Sequence, residues 1–206
     1  MIKAFKTAIV QQAEGTEVEV LTPAMVRRGG QSQGRDVLVC PLTIDLPEPF
    51  SFTHQKVFQA CRKIEERRQW VQKHTTHRVC NHNYLGDHWL PIIYTAKGPL
   101  YGEVIGEGVM PNSYHQPIDL RDEQRQSLYY LGYQLLDSIG ATPGVYLLQF
   151  SFSPEKRLIF DRLWPFPAAP AIASLRCQQP DLFTCHWHCL TGQSIPDVII
   201  PHYLAS

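Results

Sequence analysis

The sequence lacks an excess of charge of either sign. Its 206 residues carry 19 Lys+Arg against 19 Asp+Glu, and charged residues make up only 18% of the chain. A groove for nucleic acid needs a local surplus of Lys and Arg to meet phosphates, so this balance argues against one. No apolar run approaches the roughly 20 residues of a membrane-spanning helix. The opening residues, Met1 to Gln12, lack the apolar stretch and small-residue cleavage site of a secretory signal. Asparagine is scarce, 3 residues against 16 glutamines, a bias without a physical account. Cysteine is sparse for a disulfide-stapled fold. Six thiols in a chain this long, without a secretory signal, imply a reducing, cytoplasmic setting.

What is present suits a packed domain. Hydrophobic residues reach 44%, enough for a core. The length fits one domain over residues 1–206. The loop at 75–87 is the best place for a subdivision into 1–80 and 88–206.

The first half reads as strand-like pieces from Ala8 to Leu21, with polar/apolar alternation beginning at Glu17. A loop follows at Met25 to Gly34, rich in Arg, Gly, Gln and Ser. It is a solvated surface loop or an anion-binding one, and it lacks the Lys-Ser/Thr ending of a Walker loop. Asp36 to Leu46 reads as a buried strand closed by Pro47 and Pro49. Phe52 to Lys73 reads as one helix capped by Thr53. Val57, Cys61, Ile64, Arg68 and Val71 fall on its inward face, and the face with Arg62, Lys63, Glu65, Glu66 and Arg67 is solvated.

The second half is more regular. Strands at Leu90–Thr95 and Leu100–Met110 form a hairpin about Lys97-Gly98-Pro99. Gly102, Gly106 and Gly108 mark bulges or close backbone approaches. A helix runs from Asp119 to Ile139, capped by Asp119 or Asp122 and stopped by Gly140. It buries Leu128, Leu131, Leu135 and Ile139. Strands at Val145–Phe152 and Arg157–Asp161, a Pro-rich stretch from Trp164 to Pro170, and a short helix at Asp181–Leu190 complete the chain. The fold class is therefore α/β (α+β), a mixed or antiparallel sheet with packed helices.

Several clusters carry candidate chemistry. His74, His77, Cys80, His82 and His88 offer zinc-type ligands without finger spacing, so a polar histidine-rich loop explains them equally. Cys185-His186-Trp187-His188-Cys189 lies on a helix, where Cys185 and Cys189 share a face. They would pack as core or contribute two ligands to a metal. Cys40, before Pro41 at a strand end, is a candidate nucleophile without an oxyanion-hole motif. Glu103 and Glu107 would share a strand face as paired carboxylates or as solvent-facing residues. Leu163-Trp164-Pro165-Phe166-Pro167 is aromatic and rigid. It either closes the core edge or presents Trp164 and Phe166 to a partner.

The element order from residue 90 is hairpin, helix, strand, turn, strand, Pro-rich loop, short helix, glycine. Together with Gly144-Val145-Tyr146-Leu147-Leu148-Gln149-Phe150, Leu158-Ile159-Phe160-Asp161 and Pro165-Phe166-Pro167, it resembles the C-terminal half of the ATP-grasp superfamily, carboxylate–amine ligase type. The resemblance covers roughly residues 90 to 197. It implies ATP and magnesium as cofactors, with metal-binding acids on adjacent strands. The matching positions are Gln149 and Asp161. Asp161 would be the metal ligand, and Arg162 stands beside it, as a binding residue or as the partner of a structural ion pair. Gln149 gives an amide where the family has a carboxylate. The Arg between prolines is Phe166, and no nucleotide-binding flap is recognisable in the first half. The resemblance therefore implies a degenerate member, a non-catalytic factor binding a small ligand or a protein partner. The alternatives are an ATP- and magnesium-dependent ligase and a zinc-stabilised interaction domain.

Overall fold

The computed structural model describes residues 1–28, 37–47, 50–81 and 85–200. The sheet is mixed, with strand order β1-β7-β6-β2-β4-β5 and β3 attached to β2. Its strands are β1 (Arg78–Val79), β2 (His88–Thr95), β3 (Gly98–Tyr101), β4 (Val104–Glu107), β5 (Tyr114–Ile118), β6 (Gly144–Phe152) and β7 (Leu158–Trp164). Among the described residues, only β1 and β7 run parallel; the other strand pairs are antiparallel.

Alternation along β6 sorts its side chains onto two faces. Val145 and Leu147 join one apolar cluster, with α1 (Ile2–Gln12) and α6 (Leu182–Thr191). Tyr146, Leu148 and Phe150 join the other, with α4 (Ile64–His74) and α5 (Asp122–Ser138). The helix α3 (Gln55–Arg62) contributes to both, Phe58 to the first and Val57 and Cys61 to the second. Residues before and after the 75–87 loop thus share both clusters.

The long second-half helix and β6 stand nearly as expected, while β7 runs to Trp164, past the expected end at Asp161. In α5, Leu128, Leu131, Leu135 and Leu136 are fully buried, and Gly140 takes φ +58 just past its end. Its N-cap is Arg121 rather than an aspartate. The Gln124 side chain accepts from the Arg121 N–H, while Asp119 pairs with Arg125 at 3.0 Å. The expected second hairpin strand divides into β3 and β4, and both pair with β2. A Cβ at Gly106 would come within 2.8 Å of Ile118, the close approach that glycine permits. The strand β5 follows a turn and carries Pro117, a residue that disfavours a strand reading.

The first half departs from its reading. Residues 2–12 form a helix, with Phe5, Ala8 and Ile9 buried at helical spacing. Residues 17–21 are not in a strand, and Val20 stays exposed. Residues 37–46 form no strand either. Cys40, Leu42, Ile44 and Leu46 still pack alternately on the core, as an extended cover. Within the expected 25–34 loop, α2 (Pro23–Arg27) is capped by Thr22; residues 29–36 lie outside the described residues. The expected helix from Phe52 to Lys73 is two helices. Lys63 leaves helical geometry at ψ 67, and the first cap is His54, not Thr53. No described helix is long and apolar enough to cross a membrane.

Candidate functional site

Gln149 sits on β6, opposite Trp89 of β2 and Arg162 of β7. The ladder then shifts: Gln149 pairs Arg162, but Phe150 pairs Phe160. Asp161 is the extra residue, a bulge that removes it from the regular ladder and re-aims its side chain. The result is a closed polar network. Asp161 is fully buried and Arg68 is 5% exposed. Asp161 Oδ1 accepts from Arg68 Nη2 at 2.6 Å and from Arg162 Nε at 3.2 Å. Its Oδ2 accepts from the Gly86 N–H at 2.9 Å. Its backbone carbonyl accepts from Arg68 Nε at 3.1 Å. Arg68 places its remaining terminal nitrogen on Glu65 at 2.9 Å.

Gln149 closes the circuit. Its Nε2 donates to the Gly86 carbonyl at 2.5 Å, and its Oε1 accepts from Trp164 Nε1 at 2.8 Å. The Arg162 guanidinium lies 5.6 Å from the centre of the Trp164 ring. Gly86 works because it lacks a side chain: a Cβ there would stand 2.6 Å from the Phe150 carbonyl oxygen. Cys80 borders this network. Its thiol is pushed up to about 11, first by burial and then by the Asp161 charge.

Magnesium takes oxygen ligands in near-octahedral geometry, typically carboxylates plus phosphate. Here the one carboxylate already accepts from two guanidiniums and a backbone N–H. The amide oxygen at 149 accepts from an indole. A cation at Asp161 would sit against Arg68 and Arg162, so these donors do not fit a magnesium–nucleotide centre.

The aromatic pair expected to meet a partner turns inward. Phe166 is 3% exposed and stacks on Phe58 with ring centres 5.9 Å apart, so it belongs to the core and not to a docking surface. Trp164 is half-buried, with its N–H committed to Gln149.

The Cys/His clusters disperse. His74 stacks on Trp70 and donates to its carbonyl, His77 lies beside Ser127, and His88 donates to Asp87. His82 lies outside the described residues. In α6, Asp181 caps the N-terminus by accepting from the N–H groups of Phe183 and Thr184. All residues from Leu182 to Cys189 are buried. His186 Nδ1 accepts from the Val145 N–H at 2.9 Å. Burial, and after it the neighbouring His54, push this imidazole down to about 3. Burial pushes Cys40 and Cys189 up to about 12, which keeps both as thiols. Glu103 pairs with Arg125 at 3.1 Å, and Glu107 is exposed at the end of β4. Among the described residues, no three His, Cys, Asp or Glu side chains group to hold a metal.

The sequence reading reached Gln149, Asp161, Arg162 and Trp164, and the fold brings these four together. It did not assign Gly86 or Arg68 to them. Arg68 carried a signal, since it fell on the inward stripe of its helix, where an arginine needs a buried partner.

No family model matches the chain, and no curated protein matches it by sequence. Solved structures do. Glycinamide-RNase-transformylase T from Mycobacterium tuberculosis matches with a TM-score of 0.55 and 13% identity, over 68% of this chain and 51% of its own. N5-carboxyaminoimidazole synthetase from Staphylococcus aureus, complexed with ADP, matches at 0.48 and 14%, over 61% of this chain and 33% of its own. The chain thus spans about half the length of the first and a third of the second. At such identity the first likeness shows the fold alone, and that fold is the ATP-grasp one that the sequence resembles.

Proposed function

We propose that the chain is a non-catalytic ligand- or protein-binding factor on an ATP-grasp-like scaffold, acting in the cytoplasm. One observation carries this reading. The only carboxylate at the family's metal positions, Asp161, is fully buried and matched by Arg68, Arg162 and the Gly86 N–H. Metal-assisted phosphoryl chemistry needs acids that face the nucleotide and stay open to the ion. An aspartate neutralised from inside the protein serves the fold instead. The six cysteines, all unbridged, support a reducing compartment.

Thermal unfolding with nucleotide tests the reading. A ligand that binds only the native state raises the melting temperature. Magnesium added to ATP is expected to give no rise beyond that from ATP in EDTA. A magnesium-dependent rise that vanishes in Asp161→Asn would overturn the proposal in favour of the ligase reading.

A further inference from the structure

Residues 37–46 run across the core as an extended strap. Among the described residues they make no backbone–backbone hydrogen bond. Val37 and Leu38 stay exposed, and Cys40, Leu42, Ile44 and Leu46 are only partly buried against the core. A tie fixes the far end, where the Arg62 side chain donates to the Leu46 carbonyl at 3.3 Å and reaches Asp45 at 3.7 Å. A segment without a backbone ladder opens at lower cost than a paired strand.

Val39, Cys40 and Pro41 of the strap close a pocket of about 10 Å³, room for a water molecule and no larger ligand. The titratable groups around it are Cys40 from the strap, His54 from the start of α3, Tyr146 from β6 and His186 from α6. Among the described residues, no Asp, Glu, Lys or Arg lines it. The helix α1 meets His186 with the Phe5 ring, centres 5.5 Å apart. Both imidazoles are badly placed for an added proton. His54 Nδ1 is buried and has no hydrogen-bond partner among the described residues. His186 Nδ1 accepts from the Val145 N–H, so a proton there would break that bond. Two cations in this pocket would face each other without a counter-charge. Burial lowers the titration of both imidazoles, and His54 lowers that of His186 further.

We propose that residues 37–46 are an acid-released strap, which lifts when His54 and His186 take up protons while the core beneath stays folded. With the strap closed, both groups titrate below their ordinary 6.5, and they return toward it when water reaches the pocket. The open form therefore binds protons that the closed form does not. Its population rises as pH falls below 6.5, by up to about tenfold per pH unit for each imidazole. The device is independent of the binding-factor reading and uses none of the residues around Asp161.

The test is cysteine labelling of the full chain with dithiodipyridine, which reacts with thiols at acid pH, and mass spectrometry to separate the sites. Each rate is compared with that of the denatured chain at the same pH, which removes the intrinsic pH dependence of thiols. Cys61, buried on α3 outside the pocket, reports global opening. From about pH 7.5 to about pH 5, the protection of Cys40 should fall about tenfold or more while that of Cys61 holds. His54→Gln should shrink the fall, and adding His186→Gln should abolish it. His54 is half-buried and caps α3 without a side-chain hydrogen bond, so its variant keeps the test decisive should the double variant fail to fold. Equal protection of Cys40 at both pH values, a fall shared by Cys61, or a fall unchanged in His54→Gln would overturn the proposal.

Discussion

Buried ionisable residues carry most of the information at the scale of single side chains. Asp161 has two guanidiniums and a backbone N–H around it, whereas His186 has a single donor, the Val145 N–H. Burial first, and then the neighbouring His54, make protonating His186 inside the fold costly, and its titration is held near 3 against 6.5 in the open chain. Between those values the unfolded chain binds a proton that the folded chain does not. The contribution of His186 to stability is thus fully present above pH 6.5 and is lost as pH falls toward about 3. His186→Gln keeps an acceptor for Val145 but cannot titrate. Denaturant unfolding from pH 7 to pH 3 should show the variant losing less stability than wild type; parallel losses would contradict the assignment. The sequence placed His186 on a helix face, but its partner lies 41 residues away on β6. Such a distant hydrogen bond leaves no local pattern to read.

Elements were legible where periodicity and punctuation agreed. Helix α5 carries a leucine stripe and a terminal glycine, and it forms almost where the sequence implies. Leu131→Ala should cost about 2–5 kcal/mol through a core cavity. Tyr130→Ala, on the exposed face of the same helix, should stay within about 0.5 kcal/mol. Denaturant midpoints of the two variants check this, and equal losses would contradict the packing. Other elements were hidden for physical reasons. A strand needs a paired neighbour as well as alternation, and residues 17–21 alternate without being in a strand. The break at Lys63 preserves the phase of the apolar stripe, so spacing alone cannot separate two helices from one. Beyond the break, Arg68 reaches both the carboxylate and the carbonyl of Asp161. A register shift between β6 and β7 completes that contact, and it is set by pairing that no single strand records.

The whole molecule combines a recognisable scaffold with a closed polar network inside it. The second half resembles ATP-grasp proteins from sequence, and the fold agrees. The first half was harder to read because it works as cover: α1 packs beside α6, α4 closes the far side of the sheet, and α3 contributes to both clusters. It also supplies Arg68, which pairs with the buried Asp161 at 2.6 Å. The central claim is that Asp161 serves the fold, and the unfolding free energy of Asp161→Asn tests it most directly. Removing one partner of a buried ion pair leaves the other charge uncompensated, so the account predicts a loss of about 3–5 kcal/mol without magnesium or nucleotide. An Asp161→Asn protein as stable as wild type, or more so, would contradict it, since that is the behaviour of an acid held open for a metal.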